Sequence, residues 1–359
     1  MSNIKDIEFS NDLLALTQDK LDGATIHSLR NLLTHILSIH SSIFNLWAPL
    51  IYRRANLFLE SQSIPQAQLN KLQERYLYVS AKNMLLQAEI KAIADECFEA
   101  DIPVVFFKGA ALLYTVYKDD IGVRQMYYID VLIEENNLLK IEDMLRSWGF
   151  KFSENVSREE CIKRKFHLAY KKEAIIIELH WRLDYEIDNM PLAYFLEAGA
   201  CSKISGANIT VLSPEANLLA MILNQRRTIP YNWTYLELGS DVIFYRAIFF
   251  LYEINLLIKK SDKLDWGKVV SLANRGKIEY EVASLLMLSK RIYKTEIPEE
   301  ILRQLDGYFT VWLFEYLLRR SSSYKRIFIL RDIILKMHRV KFDMKGNIRK
   351  VSGDRKSVV

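Results

Sequence analysis

Apolar positions recur at helical spacing through the first hundred residues. Leu29, Leu32, Leu33, Ile36, Leu37, Ile43, Phe44 and Trp47 form one run, and Leu72, Tyr76, Ala81, Leu85, Leu86, Ile90 and Ile93 lie within a longer one over 66–98. Ser63-Ile64-Pro65 opens the longer run with helix-start chemistry. The pattern then changes period. Residues 104–107 are a short apolar strand, Lys108-Gly109 a turn, and 110–118 a helix. A polar loop with Asp119, Asp120 and Gly122 carries Arg124 into a second strand over 127–133. A helix over 136–148 stops at Gly149, and a charged, irregular stretch follows. Strands over 167–171 and 174–180 are joined by Lys172-Glu173, which suits a hairpin. A last strand over 209–212 ends at Ser213-Pro214-Glu215, with Ser as helix cap and Pro in the first turn. From there the pattern predicts helices over 214–227, 237–258, 266–275, 279–293, 298–320 and 324–341.

These elements divide the chain into a helical region over 1–100, an α/β core over 101–212, a helical domain over 213–341 and a basic, disordered tail over 342–359. The expected class is α+β, a small mixed sheet flanked by helices. Half of the 359 residues are hydrophobic and 26% are charged, the balance of a folded soluble protein. The N-terminus does not read as a signal peptide, and no run approaches the roughly 18 apolar residues of a membrane span. Three widely spaced cysteines, Cys97, Cys161 and Cys201, suggest neither a disulfide framework nor zinc-ligand spacing, so a reducing, cytoplasmic setting is expected.

The formal charge of +5 is unevenly placed. From Arg319 onward thirteen basic residues face three acidic ones, which leaves the preceding chain acidic. The helical pattern over 325–341 sets Ile327, Leu330, Ile334 and Met337 against Lys325, Arg326, Arg331, Lys336 and Arg339. Such a helix can meet an anionic membrane or nucleic acid, although a packed terminal helix with a basic outer face is the reading preferred.

Two features of the α/β core are anomalous. Asp130 lies in the middle of an apolar strand, where an isolated carboxylate would be costly without a partner or a metal. The later strand reads AIIIELHW, and its period of two puts Glu178 and His180 on one face with Ile176. A glycine turn at a helix start offers backbone N–H groups to phosphate, and Lys108 beside it adds a positive charge. His167, Tyr170 and Trp181 read as structural, Arg226-Arg227 as a solvated pair, and Asp241 as a helix-to-helix hydrogen bond. Cys161 and Cys201 lack the histidine partner of a nucleophile.

The succession KGAAL, LY, Arg124-x-Met126, Ile129-Asp130, IELHW and SPEANLL resembles the bacterial uncharacterised nucleotidyltransferase family, within the DNA polymerase β-like nucleotidyltransferase superfold. Gly239-Ser240-Asp241-Val242, Leu264-Asp265-Trp266 and Ile297-Pro298 extend the resemblance into the helical half. It implies a polymerase β-like sheet and Mg²⁺-dependent transfer of a nucleotidyl group from an NTP to an acceptor, with Mn²⁺ as an alternative ion. The acceptor would be a small molecule, a sugar, or a peptide or protein side chain. By the same resemblance, Asp130 and Glu178 would hold the metal, Lys108, Gly109 and His180 the nucleotide, and Arg124 would stabilise phosphate charge or pair with Asp130. The family pattern Arg-x-x-x-Asp-x-Asp appears here with Tyr128 at its first acid, and Asp119 or Asp120 could substitute. The rival reading is a non-catalytic descendant that binds a nucleotide or a protein partner.

Overall fold

The computed structural model describes residues 41–58, 65–184, 187, 190–228 and 234–305; for residues 57, 58, 164, 225–228 and 234–244 the description stops at the backbone. The helical pattern over 29–40, the Ser63-Ile64 helix start, the helices beyond 305 and the basic tail lie outside these residues.

Two helices, α1 (Ser41–Phe58) and α2 (Gln66–Glu99), lead into strand β1 (Val104–Phe106). Short helix α3 (Gly109–Tyr114) and a 3-10 turn, Ile121–Val123, connect to β2 (Ile129–Ile133). Then come α4 (Leu138–Ser147), β3 (Lys151–Phe152), α5 (Arg158–Arg164), β4 (His167–Lys172) and β5 (Ile175–His180). After α6 (Leu192–Glu197), β6 (Cys201–Lys203) and β7 (Thr210–Leu212) the chain is helical: α7 (Pro214–Thr228), α8 (Thr234–Lys260), α9 (Trp266–Gly276) and α10 (Glu279–Tyr293).

The seven strands form one mixed sheet in the order β3-β4-β5-β2-β1-β7-β6. β1 pairs antiparallel with β2 and parallel with β7, while β2 runs parallel to β5. Strand alternation sends neighbouring side chains to opposite faces. Val104, Phe106, Ile129, Val131, Ile177 and Leu179 join one core, which α2 covers with Leu86, Ile90 and Ile93, and α4 with Ile141 and Leu145. Val105, Phe107 and Leu132 enter the other core, where Trp47 and Ile51 of α1 meet Leu218, Leu219 and Ile222 of α7 and Leu251 and Ile254 of α8. The α+β class with a small mixed sheet is as the sequence implies. Among the described residues no helix is long and apolar enough to cross a membrane.

Several boundaries differ from the sequence pattern. α3 ends at Tyr114 rather than 118, because Thr115 departs from ideal helical dihedrals (φ −113°, ψ −66°) and the Tyr117 amide turns back to the Leu112 carbonyl at 2.8 Å. β2 begins at Ile129 rather than 127, since its registered partners reach no further back than Ile129↔Ile177. The stretch read as irregular contains β3 and α5, and α5 starts at a capping Ser157 that accepts from the Glu160 amide. That Ser-x-x-Glu signal was present in the sequence. α6 and β6 were also missed, β6 being a three-residue partner of β7. The helix expected over 298–320 is seen from 299 to 305.

One buried ion pair secures the outer side of the sheet. Glu142 of α4 is fully buried, accepts from Arg158 Nε on Oε1 at 2.7 Å and from Arg158 Nη2 on Oε2 at 2.5 Å, and also accepts from the Tyr170 hydroxyl. Burial works to raise the Glu142 pKa, but the Arg158 and Tyr170 hydrogen bonds outweigh it and hold the carboxyl below its usual range. Its contribution to stability is therefore complete above the unfolded carboxylate's pKa and fades as pH falls below it. Arg158→Ala strands the buried carboxylate and is expected to lower unfolding free energy by about 3 kcal/mol at pH 7. Urea titration checks this, and a wild-type midpoint would contradict it.

Candidate active site

The site begins with a backbone anomaly at the end of β1. Lys108 has φ 51° and ψ −125°, a region that L side chains rarely adopt. Asn217, buried in α7, holds this peptide unit from both sides. Its Oδ1 accepts from the Lys108 amide at 2.5 Å, and its Nδ2 donates to the Lys108 carbonyl at 3.3 Å. The clamp turns the Lys108 side chain back over the Phe107 ring, with Nζ 4.8 Å from its centroid. Nζ then reaches Asp130 Oδ1 at 2.8 Å.

Asp130 and Glu178 are register partners across the parallel β2–β5 ladder, so their side chains project from the same face. This is the face that the α1, α7 and α8 core covers. His180, two residues along β5, lies between them, its Nε2 3.2 Å from Asp130 Oδ1 and 3.3 Å from Glu178 Oε2. With acceptors on two sides, Nε2 carries the proton and donates to both acids. The His180 ring is fully buried against Phe107, Phe166 and His167, and its Nδ1 has no hydrogen-bond partner among the described residues. Asp130 is nine-tenths buried, while Glu178 is partly exposed. Burial alone would raise the Asp130 pKa. The Lys108 charge and the His180 hydrogen bond overcome it and hold the carboxyl well below the usual carboxylate range.

One ligand atom from each of Asp130, Glu178 and His180 lies within 4.8 Å of the others. The two carboxylates on adjacent strands fit a single divalent cation such as Mg²⁺, and His180 Nε2 would join them as a ligand, in a mixed set that suits Mn²⁺, only on giving up the proton it donates to the acids. Tyr128 adds no ligand for a second. Its phenol is 44% exposed, and partial burial followed by the negative charge of Glu178 raises its pKa, keeping it protonated and neutral.

A cavity of about 310 Å³ opens beside the cluster, lined by Lys108, Asp130, Tyr127, Tyr128, Asn224 and Arg246 among others. A larger depression of about 860 Å³ around Trp266, Lys290 and Lys294 shares no residue with it and holds none of the three donors.

The remaining candidates fare differently. Arg124 is not on Asp130: its guanidinium pairs with Glu253 of α8, which also accepts from the Tyr117 hydroxyl. Its loop is fixed by Asn83 of α2, which donates to the Ile121 and Arg124 carbonyls at 2.6 and 2.7 Å. Gly109 is buried, and a Cβ there would lie 2.5 Å from both Arg124 Nη1 and Met126 Sδ. Close packing under Arg124 thus accounts for the glycine, and a six-residue helix presents little dipole to a phosphate. Asp120 does not replace the missing acid, because Arg53 at 2.5 Å and the Tyr76 hydroxyl at 2.7 Å occupy it; Asp119 is exposed and outside the donor cluster. Tyr170 and Trp181 are buried, and His167 packs on His180. Burial pushes the Cys201 thiol up to about 11, away from nucleophilic character. The side chains of Arg226, Arg227 and Asp241 lie outside the described residues. Sequence reasoning missed Asn217 and Glu253. A lone Asn in the apolar run ANLLAMIL was the available signal for the first; the second, one acid in an apolar helix, had none that named its partner.

A family model described as uncharacterised nucleotidyltransferase matches residues 39–294. Among solved structures, the solution structure of the antibiotic-resistance factor ANT(2'')-Ia is similar at 16% identity over 59% of this chain and 98% of that one, with a TM-score of 0.34. No curated protein matches the chain.

Asn217→Ala removes both hydrogen bonds that hold the strained Lys108 peptide. It is expected to cost about 2 kcal/mol of unfolding free energy, measured by denaturant titration. An unchanged midpoint would show that the peptide is held by other means.

Proposed function

The chain belongs to the uncharacterised nucleotidyltransferase family, and from that premise we propose that it transfers a nucleotidyl group from an NTP to an acceptor hydroxyl at the Asp130–Glu178 site. The observation that carries this reading is the meeting of two acids, 48 positions apart in sequence, as register partners beside an open cavity. In the reaction the acceptor oxygen forms a bond to the α-phosphorus, the bond from that phosphorus to the β-bridging oxygen breaks, and pyrophosphate leaves with the electron pair. Asp130 and Glu178 would hold one Mg²⁺ or Mn²⁺, with His180 beside them. Bound there, the ion would supply positive charge to the phosphate oxygens.

The protein's own groups divide the remaining work. Glu178, the more exposed acid, is placed to take the proton of the acceptor hydroxyl. Lys108 offers a fixed positive charge toward the phosphates, and exposed Arg246 offers a second one from the cavity wall. Arg124, paired with Glu253, positions the loop before β2 and also lines the cavity, where it would add charge toward the phosphates. Tyr127 and Tyr128, each 44% exposed, give the cavity mouth an aromatic surface suited to the flat base of a nucleotide. A small molecule, a sugar, or a peptide or protein side chain remains the acceptor class. A cytoplasmic setting suits a reaction that consumes NTP, and residues 101–212 form the proposed catalytic unit.

The neutral phenol of Tyr128 favours a second reading, in which nucleotide binds without turnover. Thermal-shift titration with the four NTPs and MgCl₂ or MnCl₂ tests the site. Nucleotide-dependent stabilisation should require the cation and disappear in Asp130→Asn and Glu178→Gln. Stabilisation that survives both substitutions would remove the acid pair from the function. Pyrophosphate release over a panel of acceptors then separates transfer from binding alone.

A further inference from the structure

The feature that the proposed reaction leaves unexplained is the identity of residue 108. Its backbone sits at φ 51°, a conformation in which a residue with a side chain is strained and glycine is not. Asn217 is committed to holding that strained unit. The product of the arrangement is an ion pair, the Lys108 ammonium on Asp130 Oδ1 at 2.8 Å, with the lysine only 12% exposed. The same carboxylate is a member of the metal-donor cluster. Among the described residues the donor cluster stops at Asp130, Glu178 and His180, and Tyr128, on the wall of the same cavity, contributes no carboxylate to extend it.

Resting on the nucleotidyl-transfer reading, we propose that the Lys108 ammonium is a tethered cation that takes the place of a second metal ion. Phosphoryl chemistry assisted by two ions puts positive charge on both the entering and the leaving oxygen. Here Asp130 shares its charge between Lys108 and a single divalent ion. Lys108 supplies the other positive charge and keeps a second ion off Oδ1. The site therefore binds one divalent cation, and supplying a carboxylate at position 128 does not by itself admit another.

Mn²⁺ alone, followed by the electron paramagnetic resonance signal of the free ion, tests this without reference to turnover. The wild-type protein should bind one Mn²⁺ at this site, and Asp130→Asn should lose it. Lys108→Gly accepts the left-handed backbone and removes the ammonium, and it should bind Mn²⁺ about tenfold or more tightly. Tyr128→Asp should still bind one ion, whereas Lys108→Gly combined with Tyr128→Asp should bind two. Lys108→Met repeats the test with a chain of similar length, and circular dichroism checks that each variant folds. Two ions in Tyr128→Asp alone, or one in Lys108→Gly combined with Tyr128→Asp, would overturn the proposal while leaving the metal reading intact. Two ions in the wild type at Asp130 would do the same. Absence of any Asp130-dependent Mn²⁺ binding would overturn the metal reading and this inference together.

Discussion

A carboxylate placed inside a sheet must find positive charge or hydrogen-bond donors, and the arrangement around Asp130 follows from that requirement. Its strand β2 is flanked by β1 and β5, and each neighbour contributes one neutralising group at the right height. Two residues past the end of β1 comes Lys108, whose ammonium reaches one oxygen, and β5 carries His180, whose ring reaches the same oxygen. The parallel register that delivers His180 also delivers Glu178. A second negative charge thus comes with the solution for the first, and the His180 N–H shared between the acids is what lets them sit together. Two carboxylates, one ammonium and one imidazole form a unit whose members are not separable without exposing a buried charge.

The helices after the sheet serve this unit as well as the core. Asn217 is one turn into α7, directly after the Ser213 cap that accepts from the Ala216 amide at 3.4 Å. The cap fixes where the helix starts, and the start fixes which residue meets the Lys108 peptide. Glu215, in the same first turn, accepts from Ser213 and from the Asp265 amide before α9, so the position of α7 is tied to the helix that packs beside it. On the other side, Glu253 of α8 holds Arg124, and Arg124 in turn occupies the space that a side chain at Gly109 would need. The strand ends and the helical half are therefore joined through polar contacts at the site, in addition to the apolar core of Trp47, Leu219 and Ile254.

Much of this was legible in the sequence where it depended on local period. The alternation of IIIELH placed Glu178 and His180 on one face, and the structure keeps them there. The strand–turn–helix order around Lys108 and the helix start at Ser213 are likewise local. What could not be read was pairing at long range. Arg124 had Asp130 six residues away as its obvious partner, yet it meets Glu253, 129 residues on. Asp120 looked available for a metal, yet α1 and α2 bring Arg53 and Tyr76 onto it. The missed elements α5, α6 and β6 are short, and short elements owe their form to neighbours more than to their own period.

Gly109 illustrates how the same residue supports different arguments at the two levels. In the sequence, a glycine after a strand and before a helix suggests backbone laid open to phosphate. In the fold, that glycine is covered by Arg124 and Met126, and it is the preceding residue, with a long charged side chain, that adopts the left-handed backbone. Strain located on a lysine is not what turn-making requires, because a glycine at position 108 would relieve it. The conformation therefore has to be accounted for by where it sends the ammonium, and it sends it to the acid on which the proposed chemistry depends. Charge placement, more than phosphate wrapping by the turn, is the physical logic of this corner of the sheet.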